Sequence, residues 1–323
     1  MTSLREMKEK QYIPPKTFVR MLIKGFLSFG VVFFTNIRDI KKISSSKKTK
    51  KEYIRPTKKY TLPAYEKTMK YSDSNEKYLR PTLFCDHRCP EIIALANEVG
   101  AFKKSEWEYC EAAFEWVKRN LLLEVSLMNE IPETLKRGTG TCIHINNVFV
   151  ALCRAAGIKT RYKMFAAVQT QATYDELYDP IMQRWYDALG YFSLESDIEV
   201  FINGKWEVAN TAPTPDRQAA MGVPITRFGE EALGVWFNAI PGTMFWTESV
   251  PYGLDYILKL LFKIAPGTID NINANANKLR EKGAKIIKEH GGEKQYDTFK
   301  RADFKPLFPT MKIQTKKGLI FEK

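Results

Sequence analysis

The stretch Gly138-Thr139-Gly140-Thr141-Cys142 decides how the fold of this chain is interpreted. Its glycines and threonines form a flexible, hydrogen-bonding approach to the cysteine. Beyond it, apolar residues recur at the spacing of one buried helix face, namely Ile145, Val148, Phe149, Leu152, Ala155 and Ala156. Gly157 stands where a helix C-cap belongs, and residues 158–165 have the composition of a strand. The pattern predicts a helix that begins at or near Cys142 and is followed by a strand.

Cys142 is a candidate nucleophile because of this position. Free backbone N–H groups and the helix dipole favour a thiolate at a helix N-terminus. A buried structural cysteine is the alternative, since free cysteines are among the most buried residues. The chain has five cysteines, at positions 85, 89, 110, 142 and 153. Their odd number and irregular spacing predict reduced thiols in a reducing, cytoplasmic compartment.

The net charge of +13 belongs almost entirely to residues 1–60. This arm holds sixteen Lys and Arg against four Asp and Glu, whereas the remainder holds 34 against 33. The body is therefore nearly neutral, and the aromatic residues of the arm do not alternate with its lysines. Both features argue against a nucleic-acid surface. We expect the arm to meet another anionic partner.

Residues 17–35 of the arm are largely apolar, with Lys16, Arg20 and Lys24 on one face of the first half. The uninterrupted apolar part is about eleven residues long, and a membrane-spanning helix needs about twenty. One interpretation is a helix in the membrane interface, so that residues 16–59 contact an anionic membrane surface. The alternatives are a helix that packs on the body or on another protein, and an uncleaved transmembrane anchor.

The body has local signals for helices and for one hairpin. Pro90 opens a helix that Gly100 ends, and Ser105-Glu106-Trp107-Glu108 is a capping box. Residues 172–190 and 269–289 have helical patterns. Asn203-Gly204 lies between the β-rich runs 197–202 and 205–210, which is a strong hairpin signal. This order predicts an α+β fold, with Trp107 and Trp206 in its core.

Metal and cofactor signals are weak. Cys85, His87 and Cys89 invite a zinc site, but they are crowded into five residues and no matching Cys or His pair follows. The sequence has no P-loop and no dinucleotide-binding glycine pattern. We therefore predict neither a metal site nor a cofactor.

Three blocks of sequence, followed by the hairpin, resemble the transglutaminase-like (papain-type thiol) superfamily. The blocks are residues 112–118 (Ala-Ala-Phe-Glu-Trp-Val-Lys), 133–142 (ending in Gly-Thr-Gly-Thr-Cys) and 151–161 (Ala-Leu-Cys-Arg-Ala-Ala-Gly-Ile-Lys-Thr-Arg). The resemblance covers roughly residues 90–212. It implies a papain/transglutaminase-like core of helices, a cysteine helix and an antiparallel sheet. The domains would be the basic arm 1–60, the core 61–215 and a C-terminal extension 216–323 that packs on the core.

The resemblance also implies a Cys-His-Asp triad with Cys142 as the nucleophile. The acid would fall at Asn210, which can still orient an imidazole through a hydrogen bond. The histidine would fall at Glu195, or by a small slip at Ser193 or Asp197, and none of these is histidine. Glu195 as the base would oppose thiolate formation, because a neighbouring carboxylate raises a thiol pKa.

The chain has only three histidines: His144 is two residues past Cys142, and His87 and His290 are remote in sequence. Two functions follow. The first is a degenerate domain that acts as a tethered binding or structural module for a protein or peptide ligand, peripheral at the membrane. The second is an active cysteine acyltransferase or peptidase that forms a thioester at Cys142 on peptide or Gln amides. The missing triad histidine favours the first.

Overall fold

The computed structural model of the chain describes residues 16–45, 52–189, 193–233, 237–240, 242–251, 259–260 and 262–305. The helices are α1 (Lys16–Thr35), α2 (Ile37–Ser45), α3 (Pro90–Val99), α4 (Glu106–Asn120), α5 (Ile131–Arg137), α6 (Cys142–Ala155), α7 (Gln171–Glu176), α8 (Pro180–Leu189), α9 (Pro215–Ala220), α10 (Pro266–Glu289) and α11 (Glu293–Asp303). The strands are β1 (Leu122–Leu123), β2 (Thr139–Gly140), β3 (Thr160–Gln169), β4 (Ser193–Ile202), β5 (Lys205–Ala209), β6 (Phe237–Ala239) and β7 (Phe245–Thr247).

An antiparallel sheet in the order β5-β4-β3-β6 forms the centre of the fold, and β7 also pairs with β3. Helix α6 packs on β3 and β4 of this sheet, and α3 and α4 pack on α6, around the largest apolar cluster. Every residue of α6 after Cys142 is buried, because α6 lies between α3, α4, α5 and the sheet. The helices followed by an antiparallel sheet confirm the predicted α+β fold.

The helix and hairpin signals with local causes are confirmed. Ser105 and Glu108 form both hydrogen bonds of the predicted capping box at the start of α4. Asn203 and Gly204 have φ angles of 52° and 82°, as the tight turn between β4 and β5 requires. α3 begins at Pro90 and ends at Gly100 with φ 110°. These features need only neighbouring residues, which is why a sequence pattern suffices to predict them.

The predicted single helix over 172–190 is wrong in one respect. The chain forms two helices there, because Asp179 and Pro180 start a new one. The Asp179 carboxylate accepts from the backbone N–H groups of Ile181 and Met182, at 3.1 and 2.9 Å. This is the side-chain cap of a helix start, and a proline in the first turn continues it.

The expected core positions of Trp107 and Trp206 are also wrong. Trp107 is 38% exposed and meets the Phe228 ring edge-on at 4.9 Å. Trp206 is half-buried on the sheet face away from α6, with the Arg161 guanidinium 4.0 Å above its ring. Position 206 pairs with the outward-facing Phe201, so strand alternation directs both side chains away from the core.

The arm and the C-terminal extension both pack on the core. β6 and β7 pair with β3, α10 packs tightly on α9, and α1 packs on α8. Residues 52–60 contact the body as well: the Tyr60 hydroxyl donates to the carbonyl oxygen of Leu135 at 2.5 Å. The domain boundaries after residues 60 and 215 stay predictions. In the C-terminal extension, residues 256–264 form an apolar run, of which 256–258 and 261 lie outside the described residues.

Candidate functional site around Cys142

The glycines before Cys142 permit two close approaches of the chain. Gly138 has φ +75°, and a Cβ there would lie 2.7 Å from the Cβ of Lys58. A Cβ on Gly140 would lie 2.5 Å from the Cβ of His144. β2 pairs with β1 immediately before α6 begins at Cys142. The approach loop is thus fixed by packing, and it places the thiol at the first residue of a helix, as predicted.

The environment of the Cys142 thiol favours its protonated form. The side chain is only partly exposed. Burial raises the pKa of Cys142 to about 12, and the charge of the Glu195 carboxylate is the second largest cause of this increase. Arg217 and the backbone N–H groups of Cys142 and Ile143 act in the opposite direction, but their effect is smaller. The helix N-terminus therefore does not suffice to form a thiolate here at neutral pH.

Glu195 lies on β4, close enough to Cys142 for its charge to act on the thiol pKa. Its carboxylate accepts a hydrogen bond from the Gln169 side-chain amide at 2.6 Å, at the end of β3. In the strand register, Glu195 of β4 lies directly opposite Phe165 of β3. The structure thus brings Glu195 and Cys142 together, at the position where the resemblance implies a histidine.

Asn210, which follows β5, is hydrogen-bonded to another carboxylate. Its side-chain amide donates to Oδ1 of Asp197, and both residues are buried. Asp197 lies two residues after Glu195 on the same face of β4. Burial raises the pKa of Asp197 to about 7, while the Asn210 hydrogen bond and the charge of Lys163 lower it. Asn210 therefore donates its hydrogen bond to Asp197 and does not orient a base for Cys142 in this structure.

Asn146 joins the cysteine helix α6 to β4 and to the segment that follows β5. It lies one turn after Cys142, and its amide donates to the carbonyl oxygen of Ser196 at 2.6 Å. The Thr211 hydroxyl donates to the amide oxygen of Asn146, also at 2.6 Å. Asn146 and Thr211 are almost fully buried. The first bond holds the start of α6 against β4, which carries Glu195 and Asp197, and the second holds it against the segment after β5.

The three histidines all have structural contacts away from the Cys142 sulfur. His144 is buried, its Nδ1 accepts from the backbone N–H of Thr141 at 3.1 Å, and burial lowers its pKa to about 4. His87 is buried with Nε2 3.0 Å from the carbonyl oxygen of Ser72. Nδ1 of His290 lies 2.8 Å from the carbonyl oxygen of Ile286. No histidine hydrogen bond found in the described part of the chain reaches Cys142.

A metal-binding arrangement is likewise missing among the described residues, where no three His, Cys, Asp or Glu side chains converge as ligands. Cys85 and His87, which the sequence suggested for zinc, are occupied by protein contacts. The Cys85 sulfur lies 3.5 Å from the carbonyl oxygen of Asn147. All five cysteines are free thiols.

Sequence reasoning missed two residues of the site, Arg217 and Gln169. Arg217 is 6% exposed on α9, and Glu195 and Cys142 are among the groups that raise its pKa against the lowering effect of burial. Gln169 is the last residue of β3 and contacts Glu195. Neither belongs to a motif, and their roles follow from how α9 and β3 pack near Cys142.

The comparisons with known proteins concern this same region. The family model described as the transglutaminase-like superfamily matches residues 93–207. A proposed cysteine protease from Cytophaga hutchinsonii has a TM-score of 0.33 and 15% identity, over 52% of this chain and 49% of its own. A proposed protease from Parabacteroides distasonis has a TM-score of 0.26 and 16% identity, over 38% and 23%. The chain thus spans about half of the first structure and less of the second. The comparison with curated proteins gave no match.

The match over 93–207 confirms the resemblance that the sequence blocks indicate over 90–212. It includes the cysteine helix, β3, β4 and the hairpin that carries Trp206. It leaves out the arm and most of the chain after β5. Residues 93–207 are therefore similar to the transglutaminase-like superfamily.

Proposed function

We propose that this domain does not perform thiol acyl transfer and acts as a binding or structural module for a protein or peptide ligand. The observation that carries the proposal is the environment of Cys142, where the charge of Glu195 acts on the thiol from the position at which the resemblance implies a histidine. The triad mechanism needs a base that takes the thiol proton and returns it to the leaving group. A glutamate that accepts its hydrogen bond from Gln169 and raises the thiol pKa does not supply that step.

The magnitudes support an inert thiol. With a pKa of about 12, the thiolate of Cys142 would be on the order of one part in 10⁵ at neutral pH. A positioned general base typically contributes about 10²–10⁴-fold, and that contribution is missing as well. Both figures describe the same missing proton acceptor and are not multiplied, and they favour an unreactive thiol over an activated nucleophile.

The polar groups near Cys142 instead partner one another. Asn210 donates to Asp197, Gln169 donates to Glu195, and Asn146 joins α6 to β4. These hydrogen bonds hold the strands and the helix in one arrangement, although Oδ2 of Asp197 and Oδ1 of Asn210 have no hydrogen-bond partner among the described residues. A fixed, partly exposed face around Cys142 is suited to binding a polypeptide, the class of molecule on which the family's chemistry acts.

Activity of the wild-type chain is compared with Cys142→Ala, using amine incorporation into a Gln-containing protein and hydrolysis of fluorescent peptides. We expect no Cys142-dependent turnover. A matched positive variant is Glu195→His, which places the imidazole that the resemblance implies near Cys142 and should gain turnover that Cys142→Ala removes. Turnover by the wild type that disappears in Cys142→Ala would overturn the proposal and favour the acyltransferase or peptidase interpretation.

Binding is tested by selecting displayed peptides on the wild-type chain and then on Cys142→Trp, whose larger side chain blocks the site. Peptides that bind the wild type and lose affinity for Cys142→Trp would support a ligand at this face. Equal binding to both would place the ligand elsewhere. Thermal unfolding of each variant checks that the comparison is made on folded protein.

A further inference from the structure

Among the described residues, helix α1 packs against the body through one of its faces only. The buried face includes Ser28 and Val32, and the Phe29 ring meets Trp185 of α8 edge-on at 5.8 Å. The Ser28 hydroxyl is 3.4 Å from the carbonyl oxygen of Ala188. This resolves one of the alternatives that the sequence left open, because the arm helix does pack on the body. It also leaves the opposite face of the helix without contact to that surface.

The outward face of α1 is an apolar stripe, which we call the outer stripe. Its members recur at intervals of three, four or one residue along the helix, as one face of an α-helix requires. Leu27 and Phe34 are its most exposed members, at 68% and 77%. The outer stripe consists of Val19, Ile23, Phe26, Leu27, Val31 and Phe34. Six large apolar side chains on one exposed helix face are unusual for a surface that stays in water.

Positive charge accompanies the outer stripe. Three exposed cations lie along the outer stripe in the first half of α1, spaced four residues apart: Lys16, Arg20 and Lys24. Three more exposed cations lie on α2, at positions 38, 41 and 42. The single acid within residues 16–45 is Asp39, which forms an ion pair with Arg184 of α8 at 2.5 Å. The surface around the outer stripe is therefore strongly cationic.

We propose that the outer stripe docks on an anionic membrane surface, with α1 lying in the plane of the interface. Apolar side chains would enter the boundary between headgroups and acyl chains, and the flanking cations would meet anionic headgroups. Charge complementarity favours a lipid surface over a second copy of the chain, because two copies would bring the same cations together. The described residues include no helix that could cross a membrane.

The geometry assigns the two faces of α1 different roles. Its inner face joins the helix to α8, so docking would hold the transglutaminase-like core against the lipid surface. A helix joined only by a flexible linker would leave the core free to move. This proposal does not depend on the chemistry of Cys142, and its failure would leave the proposed function unchanged.

The test is co-sedimentation of the full chain with vesicles of phosphatidylcholine containing about 30 mol% phosphatidylserine, at low and high salt. Wild-type protein should bind at low salt and lose affinity as salt rises. Leu27→Ser/Phe34→Ser should weaken binding by at least about tenfold, because two large apolar side chains leave the interface. Lys16→Gln/Arg20→Gln should weaken it by about fivefold for each charge removed.

The matched control is Tyr65→Ser/Phe299→Ser, which removes two exposed aromatic rings away from α1. It should leave vesicle affinity unchanged. Failure of the wild type to bind at low salt overturns the proposal, as does full binding by Leu27→Ser/Phe34→Ser. Sedimentation equilibrium without lipid gives the competing outcome: a dimer that Leu27→Ser/Phe34→Ser dissociates, without vesicle binding, would make a second copy the occupant.

Discussion

Replacing Gly283 with alanine should destabilise the protein by at least about 2 kcal/mol. Gly283 lies within α10, where this helix crosses α9. A Cβ at this position would lie 1.6 Å from the carbonyl oxygen of Asp216 and 2.5 Å from its carbonyl carbon. Real Cβ atoms stay at least 3.0 Å from such atoms, so the two helix backbones must separate by more than an ångström. Because both colliding groups are backbone, no side-chain rotation relieves the contact.

The magnitude combines two opposing effects. Overpacking by one methyl group typically costs about 1–3 kcal/mol, and a rigid backbone contact belongs at the upper end of that range or beyond it. Alanine in place of glycine within a helix returns about 1 kcal/mol. Gly30→Ala is the matched control, because Gly30 also lies within a helix and nothing lies within 4 Å of its added Cβ. That variant should be neutral or slightly stabilising.

The assay is urea unfolding at 25 °C, followed by circular dichroism. We expect a lower midpoint for Gly283→Ala with an unchanged slope, and an equal or higher midpoint for Gly30→Ala. Equal midpoints for Gly283→Ala and the wild type would refute the close crossing of α9 and α10. Since α9 carries Arg217, they would also remove the physical basis for placing Arg217 beside Cys142.

Three further predictions concern buried polar groups. Burial lowers the pKa of His144 from 6.5 to about 4, so the folded protein should lose about 3 kcal/mol of stability as pH falls through this range. The loss is measured as a drop in the urea midpoint, which should be absent in His144→Gln. A wild-type midpoint that stays constant over this pH range would contradict the prediction. Burial raises the pKa of Asp197 from 3.8 to about 7, so ionisation of this carboxyl should destabilise the fold as pH rises from 4 to 8. In urea unfolding, Asp197→Asn should be more stable than the wild type at pH 8 but not at pH 4. A wild type that is more stable than Asp197→Asn at pH 8 would show that the Asp197 charge is well solvated. Arg154 is fully buried and donates to three backbone carbonyls and two hydroxyls. Arg154→Met should therefore lower the free energy of unfolding by about 3–5 kcal/mol, measured by urea unfolding. A decrease below about 1 kcal/mol would mean that the five acceptor groups find other partners.

The sequence predicts the parts of this fold that depend on neighbouring residues. The capping box at Ser105, the turn at Asn203-Gly204 and the helix that begins at Cys142 each need only a few adjacent side chains, and the structure has all three. Trp107 shows where such reasoning fails. Helical spacing places it on the same face as buried residues, but it lies in the first turn of α4, at the edge of the core.

The site around Cys142 could be predicted only in part. The family resemblance pointed to position 195, and the structure places Glu195 near the thiol. Arg217 comes from α9, whose place is set by α10 much later in the chain, so no local pattern points to it. The hydrogen bond between Asn210 and Asp197 depends on strand register, which side-chain type alone does not determine.

The most direct test of the account is the pH dependence of alkylation at Cys142. Iodoacetamide labelling of folded protein is followed by peptide mass spectrometry, so that the other four cysteines are measured separately, with Cys142→Ala as the control. Since burial and Glu195 raise the thiol pKa to about 12, labelling should rise steadily with pH and show no plateau up to about pH 10. A plateau below about pH 8.5 would reveal an activated thiolate and contradict the proposal that the domain does not perform acyl transfer.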